Sequence, residues 1–387
     1  MNNFVYSIPT KIYFGKGQIC HLGEAVGEYG SRALLVYGGG SIKKIGLYDA
    51  IIDQLKQHEI AVTELSGVEP NPKIESVRAG VKLCRENKID VVLAAGGGSA
   101  IDCAKVIAAG ACYNGDAWDL VIHPEKIGRV LPIISVLTLS ATGSEMDANA
   151  VISDMGKNDK FGTANPGMKP KASILDPEYT FSVSKKQTAA GTADIMSHIF
   201  ENYFNNVPGA FLQARFAESL LKTCIKYGKT AIDDPENYEA RANLMWASSL
   251  AINGLLSYGA GVAWSVHPME HELSAFYDIT HGIGLAILTP NWMKHVLNEN
   301  TVDKFAEYGV NVWNIDAKLD RFEIAEKAIQ NTREFFNQLG IPSTLREVGI
   351  GEEKFEIMAK KAASMGIDRG FVPLYEKDVL AIYQASL

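Results

Sequence analysis

Apolar residues have different spacing patterns in the two parts of the chain. From Ala33 onward, short continuous apolar runs alternate with stretches of helical periodicity. The predicted strands cover 33–37, 60–65, 90–95, 130–136 and 172–177, the last ended by its proline, and the predicted helices between them cover 45–58, 73–87 and 101–109. Apolar strands that alternate with helices are typical of a parallel sheet covered on both faces. The segment 4–14 is predicted to add one or two strands, and 147–163 an antiparallel hairpin that turns near Gly156.

The pattern changes after about Phe181, where helical periodicity takes over. The predicted helices cover 185–205, 211–230, 236–256, 262–276, 282–297, 322–339 and 352–365. A chain of 387 residues exceeds the usual size of a single core, so two domains are expected. We predict an α/β domain over residues 1–180 and an all-helical domain over 181–387.

Composition and charge exclude several classes of partner. The net charge of −8 at pH 7 argues against nucleic acid or an acidic membrane surface. The five cysteines have no paired spacing, which indicates reduced thiols in a cytoplasm and provides no Cys-x-x-Cys zinc site. The N-terminus lacks the pattern of a signal peptide, and no run approaches the roughly 18 apolar residues of a membrane helix. We expect a cytoplasmic protein that binds small molecules.

Two glycine turns share the same sequence and the same context. Gly38-Gly39-Gly40-Ser41 and Gly96-Gly97-Gly98-Ser99 each lie between a predicted strand and a predicted helix. Glycines let the backbone approach a ligand closely there, and the helix N-terminus offers free N–H groups to a phosphate. Neither turn matches the Gly-x-Gly-x-x-Gly fingerprint, so a standard Rossmann motif is not predicted. Plain tight turns are the alternative, and the repeated context favours nucleotide binding.

The residues that follow the second turn also have structural interpretations. Ser99 is predicted as the N-cap of the helix, with Asp102 as its capping-box partner three residues on. Lys105, one turn into the helix, is expected either to approach the same phosphate or to face water. Both interpretations are compatible with phosphate binding.

The first turn bears on the choice of cofactor. An acidic residue at such a strand end usually accepts from the adenosine ribose and repels a 2′-phosphate. This loop has no acid, and Lys43 and Lys44 follow it. We therefore predict that NADP(H) is preferred and that NAD(H) is also accepted.

A set of carboxylate and imidazole groups lies in the helical part. Asp194 and His198 are four residues apart in a predicted helix, so their side chains leave the same face. His267 and His271 have the same spacing, and His281 stands at the entrance of the next predicted helix. Asp194, His198, His267 and His281 together offer one oxygen and three nitrogens, which suits Zn²⁺ or Fe²⁺. The alternative is a group of core histidines that only form hydrogen bonds.

Several stretches taken together resemble the iron-containing alcohol dehydrogenases, and most closely their butanol dehydrogenase branch. They are Val-Glu-Pro-Asn-Pro at 68–72, Gly-Gly-Gly-Ser-Ala-Ile-Asp-Cys-Ala-Lys at 96–105, Ala-Thr-Gly-Ser-Glu at 141–145, and the segments 191–201 and 264–284. The resemblance covers essentially the whole chain. It implies an α/β N-terminal dinucleotide-binding domain, an all-α C-terminal metal-binding domain and an active site in the cleft between them, the dehydroquinate synthase-like architecture.

The resemblance also implies roles for individual residues. The metal ligands would be Asp194, His198, His267 and His281. The cofactor would be bound by Gly38, Gly39, Gly40, Ser41, Gly96, Gly97, Gly98, Ser99, Asp102, Thr138, Ser140, Thr142 and Lys160. His271 would be the second histidine of the family, near the nicotinamide but not on the metal. Two positions depart from the family pattern: Ser184 stands where a proline is common, and Leu139 where many relatives have threonine.

The implied reaction is reversible hydride transfer between a nicotinamide and the carbonyl carbon of a small aldehyde such as butyraldehyde, which yields butanol. A divalent metal would polarise the carbonyl oxygen, and His271 would start a proton relay or shape the substrate site. A related lyase of the dehydroquinate synthase type and a nucleotide-binding scaffold without turnover are the alternatives. Mostly apolar residues near the metal set favour the aldehyde: Trp264, Val266, Met269, Leu273, Phe276 and Ile279. A homodimer is the default expectation.

Overall fold

The structure, a computed structural model, describes all residues, Met1–Leu387, and separates into two compact units. The first, which we call the sheet unit, contains Ser7–Val183 and Pro235–Ser249. The second, the helical unit, contains Met1–Tyr6, Ser184–Asp234 and Leu250–Leu387. The units are thus not simple halves of the chain, and the ranges 1–180 and 181–387 stay a prediction about its domains.

The sheet unit contains a six-stranded parallel sheet and a separate hairpin. The strands are β1 (Lys11–Phe14), β2 (Arg32–Tyr37), β3 (Ala61–Leu65), β4 (Val91–Gly96), β5 (Ile133–Leu137), β6 (Asn149–Asp154), β7 (Asp159–Ala164) and β8 (Ala172–Leu175). The order in the sheet is β1-β8-β5-β4-β2-β3, and β6 pairs antiparallel with β7. The central strands are mostly apolar because both faces are buried: Leu34 and Val36 belong to one core cluster, and Ala33 and Leu35 to another. The predicted sheet and hairpin are both present.

Six helices lie between the strands of this unit. They are α1 (Leu22–Gly27), α2 (Ser41–Lys44), α3 (Leu47–Gln57), α4 (Ile74–Glu86), α5 (Gly98–Gly110) and α6 (Ala117–Ile122). The helix predicted over 45–58 is found as α3, and the short α2 precedes it; Gly46, in a left-handed conformation with a φ of 73°, separates the two. The carboxyl ends of β2 and β4 lead directly into the two glycine turns, so both turns lie at the same edge of the sheet.

Nine helices complete the chain. They are α7 (Lys185–Tyr203), α8 (Phe211–Asp233), α9 (Tyr238–Ile252), α10 (Val266–Tyr277), α11 (His281–Val296), α12 (Val302–Trp313), α13 (Arg321–Gln338), α14 (Phe355–Ala363) and α15 (Glu376–Ala385). The seven predicted helices are all found, while α12 and α15 are additional. The predicted α/β part followed by a helical part is therefore confirmed. No helix combines the length and the apolar character that crossing a membrane requires.

Helix α7 is the centre of the helical unit. Ser184 caps it, since its hydroxyl accepts from the Gln187 amide at 3.3 Å. Every residue from Thr188 to Tyr203 is buried, so the polar side chains of this helix must find partners inside the protein. Helix α11 crosses it at backbone contact distance: a Cβ on Gly282 would lie 2.0 Å from the Ala190 carbonyl oxygen. This contact brings the first residue of α11, His281, to the middle of α7.

Candidate functional site

The second glycine turn opens helix α5 without a side-chain cap. The N-cap residue is Gly97, whose carbonyl accepts from the amides of Ala100 at 3.1 Å and Ile101 at 3.3 Å. The predicted N-cap role of Ser99 is therefore wrong, because the helix begins two residues earlier and Ser99 lies inside its first turn. A Cβ on Gly98 would lie 2.3 Å from the Thr142 hydroxyl oxygen, so only glycine admits the loop that follows β5.

The first glycine turn leaves open space above the sheet edge. A Cβ on Gly39 or on Gly40 would meet no atom within 4 Å, and Gly40 has a φ of 101°. Open backbone at one turn and an uncapped helix N-terminus at the other suit the phosphates and ribose of a dinucleotide. The residues present therefore fit such a cofactor.

A carboxylate that the sequence reasoning missed lies beside the first turn. Glu64 on β3 accepts from the hydroxyls of Tyr48 at 2.6 Å and Tyr37 at 2.7 Å. The hydrogen bond from Tyr48 is the larger cause that lowers the pKa of Glu64, and the one from Tyr37 comes next. The positive charge of Lys43 also lowers this pKa. The strand register pairs Glu64 with Leu35, near the end of β2, so this carboxylate was detectable once β2 and β3 were taken as neighbours.

Asp102 and Lys105 are held by internal partners. The two carboxylate oxygens of Asp102 accept from the Ser144 hydroxyl at 2.5 Å and the Val151 amide at 2.8 Å, and burial raises its pKa to about 6. Asp102 is thus not the capping-box partner of Ser99. The Lys105 ammonium is fully buried and donates to Asp147 at 2.6 Å, so it does not face water.

The remaining predicted cofactor residues lie on elements around the same edge. Thr138 continues β5, and its amide donates to the Gly96 carbonyl at 3.0 Å. Ser140 and Thr142 are half-buried on the loop that follows. Lys160 on β7 is buried and donates to the Asn71 side chain at 3.0 Å. Their contacts with a cofactor stay predictions.

In the helical unit, Asp194 lies at the centre of three histidines. Its Oδ1 atom is 3.4 Å from Nδ1 of His198, and it is 3.9 Å from Nε2 of both His267 and His281. The ligand atoms of Asp194, His267 and His281 all lie within 4.8 Å of one another. His198 stands beside this group, with its ring centroid 4.6 Å from that of His267. The structure thus brings together residues from α7, α10 and the start of α11.

The electrostatics of this group suit a cation. Burial lowers the pKa of His198 well below its ordinary value, and the neighbouring His267 and His281 lower it further, so the imidazole is neutral. Nδ1 of His198 and Nε2 of His267 are buried and have no hydrogen-bond partner. A buried polar atom without a partner costs free energy unless something binds it. Unprotonated nitrogens beside a carboxylate supply the ligands that a divalent metal requires, so the residues present fit one.

His271 and Trp264 border the group of Asp194 and the three histidines. The His271 ring centroid is 5.7 Å from that of His281 and 6.4 Å from that of His267, and the side chain is half-exposed. The Trp264 ring meets His267 edge-on at 4.9 Å and is 36% exposed. Of the predicted apolar neighbours, Val266, Met269 and Leu273 are core residues, whereas Trp264 offers a partly exposed apolar surface.

Two buried carboxylates beside the histidines were also missed. Glu201 on α7 contacts His267, and Glu270 on α10 contacts His281. The spacing along the chain indicates that both carboxylates lie near the histidines. Glu201 follows Asp194 by seven residues on one helix face, and Glu270 follows His267 by three.

Comparisons with known proteins agree with this site. The chain matches the family described as iron-containing alcohol dehydrogenase over residues 9–177, and the C-terminal part of the Fe-containing alcohol dehydrogenase family over residues 188–387. NADH-dependent butanol dehydrogenase A of Clostridium acetobutylicum is 63% identical over 388 residues, which cover 100% of both chains. The NADPH-dependent aldehyde reductase YqhD of Escherichia coli is 40% identical over 95% of this chain and 94% of the reductase. The crystal structure of NADH-dependent butanol dehydrogenase A from Thermotoga maritima matches with a TM-score of 0.94 at 39% identity, over 100% of this chain and 99% of that one.

The two glycine turns, the Asp–His group and the match over nearly the full length of the chain together define an alcohol dehydrogenase. The chain belongs to the iron-containing alcohol dehydrogenase family, and within it resembles the butanol dehydrogenases. The resemblance drawn from the sequence is thereby confirmed. Membership implies a nicotinamide dinucleotide and a divalent metal.

Proposed function

We propose that the protein transfers hydride reversibly between a nicotinamide dinucleotide and small aliphatic aldehydes such as butyraldehyde, with butanol as a product. The observation that carries the proposal is the group of Asp194, His267 and His281, the first two of them buried, in a chain that is 63% identical to a butanol dehydrogenase. The exposed face of Trp264 beside His267 supplies an apolar surface suited to a short alkyl chain.

Asp194, His198, His267 and His281 would hold the metal, for which Fe²⁺ and Zn²⁺ are the candidates. When bound, such a metal acts as a Lewis acid on a carbonyl oxygen. Burial of Asp194 and His267 excludes water from the ligand atoms, so the carboxylate and the neutral imidazole are available without competing hydration. The glycine turns and the N-terminus of α5 would bind the pyrophosphate and adenosine of the cofactor.

The aldehyde assay tests this function. Oxidation of NADH or NADPH should depend on butyraldehyde, disappear after chelation and return when Fe²⁺ or Zn²⁺ is added back. A dehydroquinate-synthase-like lyase would show no aldehyde-dependent oxidation, and neither would a scaffold that only binds the nucleotide. Absence of turnover in the metal-loaded protein would overturn the proposal.

The lysines after the first glycine turn and the carboxylate of Glu64 favour different cofactors. The prediction of NADP(H) rests on Lys43, Lys44 and a loop without an acid, but Glu64 places an ionised carboxylate near Lys43 at the end of the adjacent strand. The relative from Clostridium acetobutylicum is named as NADH-dependent, and the reductase from Escherichia coli as NADPH-dependent. We therefore propose that both cofactors are used and that NADH is used at least as well. A kcat/KM ratio of NADPH to NADH well above one would instead support the NADP(H) prediction.

His271 is proposed to start the proton relay to the alkoxide. It lies one helical turn after His267 and is half-exposed, as a group that exchanges protons with solvent must be. His271→Ala should lower kcat by about 10²-fold, the low end of the effect of a general acid–base residue, with little change in metal content. If kcat and its solvent isotope effect stayed at the wild-type values, His271 would have only a packing or substrate-shaping role.

Assembly and location complete the proposal. We propose a homodimer, because Phe4, Val5 and Tyr6 expose large apolar side chains, as do Phe211 and Leu212. A mass of twice 42.1 kDa by light scattering is the expected result.

All five cysteines are free thiols, which supports a reducing, cytoplasmic location.

A further inference from the structure

Glu201 occupies an unusual position between two helices. It lies in the last turn of α7 and is 2% exposed, yet it forms the N-terminal cap of α10. Its Oε2 accepts from the Ser265 amide at 2.9 Å, and its Oε1 accepts from the amides of Val266 at 2.8 Å and His267 at 3.0 Å. The hydroxyl of Ser265, the residue before α10, makes no such capping bond. One carboxylate therefore satisfies three backbone donors where α10 begins.

The same carboxylate oxygen also contacts the imidazole that starts this helix. Nδ1 of His267 lies 3.2 Å from Oε1 of Glu201. Because a carboxylate only accepts, this contact places the His267 proton on Nδ1 and leaves the lone pair of Nε2 for a metal. That Nε2 atom is the one that faces Asp194 at 3.9 Å and has no hydrogen-bond partner.

Glu270 has the equivalent relation to His281. It lies on α10 and is fully buried, and one of its oxygens contacts Nδ1 of His281. The other accepts from the Ser274 hydroxyl at 2.6 Å, which holds the carboxylate in place. Gly284 makes room for it, since a Cβ there would lie 2.8 Å from Cγ of Glu270. Nε2 of His281 is thereby directed toward Asp194, at 3.9 Å.

We propose that Glu201 and Glu270 are positioning residues that set the tautomer and ring orientation of His267 and His281 for metal binding. The proposal rests on the proposed metal-dependent function. Carboxylates in such positions also raise the basicity of the ligating nitrogen, and their removal typically costs 10- to 100-fold in metal affinity. His198 lacks such a partner, because its Nδ1 faces Asp194 itself at 3.4 Å.

Helix α10 provides a matched control. Glu272 is also fully buried and lies two residues from Glu270, but its carboxylate pairs with the Lys361 ammonium at 3.3 Å. Glu272→Gln therefore removes a buried charge from the same helix without touching a proposed ligand. Any general effect of losing a buried carboxylate on the stability of α10 appears in this variant as well.

The test measures the Zn²⁺ dissociation constant of the full chain by competition with a chelator, and the absorption spectrum of the Co²⁺-loaded protein. Glu270→Ala should weaken Zn²⁺ binding about 10- to 100-fold and alter the Co²⁺ spectrum. Glu270→Gln keeps an acceptor for the His281 Nδ1–H but loses the charge, so its loss should be smaller. Glu272→Gln should stay within about threefold of the wild type. If Glu270→Ala does not fold, Glu270→Gln carries the test.

Two outcomes overturn different claims. If the wild type binds Zn²⁺ and both Glu270 variants bind it equally well with the same Co²⁺ spectrum, the positioning role is wrong while the metal site stands. If the wild type binds no divalent metal, the proposed function fails, and this inference with it.

Glu201→Gln should weaken Zn²⁺ binding and also lower the melting temperature of the metal-free protein, because an amide N–H₂ faces the backbone donors of α10. Unchanged Zn²⁺ binding in this variant would exclude Glu201 from the role.

Discussion

Replacing Asp194 with asparagine should strip the protein of metal and lower kcat/KM by about a thousandfold. Asp194 is the only carboxylate in its group with His267 and His281, and its Oδ1 faces a nitrogen of each of these two histidines and one of His198. Asparagine preserves the shape but removes the charge that offsets a dication. Lewis-acid catalysis supplies several kcal/mol of transition-state stabilisation, and about 4 kcal/mol corresponds to a thousandfold in rate.

The measurement is metal content of the purified protein together with kcat/KM for butyraldehyde reduction. His267→Ala should reproduce both losses, because it removes a nitrogen ligand from the same group. His295→Ala is the matched control: this half-exposed histidine lies on α11 with His281 but pairs with Asp378 at 3.3 Å. It should retain full metal content and activity. Full metal content and activity in Asp194→Asn or His267→Ala would show that the metal site has been placed wrongly.

Replacing Lys105 with methionine should cost about 3–5 kcal/mol of unfolding free energy at pH 7. The buried ammonium donates to Asp147 at 2.6 Å and to the Asn149 carbonyl at 2.7 Å. Removing one member of a buried ion pair leaves the other charge uncompensated, and that penalty has about this size. The double variant Lys105→Met/Asp147→Asn removes both charges, so it should recover much of the loss.

The unfolding free energy lost in Lys105→Met should increase as the pH rises. Burial raises the pKa of Asp102 to about 6 against the attraction of Lys105, which lowers it. Without Lys105 the folded-state pKa of Asp102 rises further above its unfolded value. A raised carboxyl pKa destabilises the fold as pH rises through it, so the variant should be closest to the wild type near pH 5 and should fall behind toward pH 8.

Chemical denaturation at several pH values measures both effects. Lys82→Met is the control, because this lysine is 74% exposed in its side chain and lies 3.8 Å from Glu86. An exposed pair of this kind contributes at most about 1 kcal/mol. A Lys105→Met variant as stable as Lys82→Met at every pH would contradict the buried ion pair.

Local patterns predicted most of the fold. The apolar runs at 33–37 and 90–95 became the central strands β2 and β4, and the helical spacing at 185–205 became α7. Helix α12 was missed although Val302, Phe305, Tyr308 and Val312 form a buried stripe at helical spacing. The sequence therefore contains the pattern that predicts this helix.

The errors near the glycine turns have a different cause. Assigning Ser99 as N-cap depended on where α5 starts, which backbone bonding to the Gly97 carbonyl decides. Lys105 could not be paired with Asp147 from the sequence, because the partner lies 42 residues away beyond β5. Glu64 could not be assigned to the turn from the sequence, because it lies on β3 and only the pairing of β3 with β2 brings it there.

The sequence by itself determined the family, the two glycine turns and the candidate ligands Asp194, His198, His267 and His281, because these depend on residue type and short-range spacing. Only the tertiary structure decided how the imidazoles are oriented. Glu201 meets His267 across 66 residues of chain, and the packing of α11 on α7 brings His281 to Asp194. A hydrogen bond that fixes a tautomer needs two groups at contact distance in a buried place, and that distance is set by helix packing rather than by order along the chain.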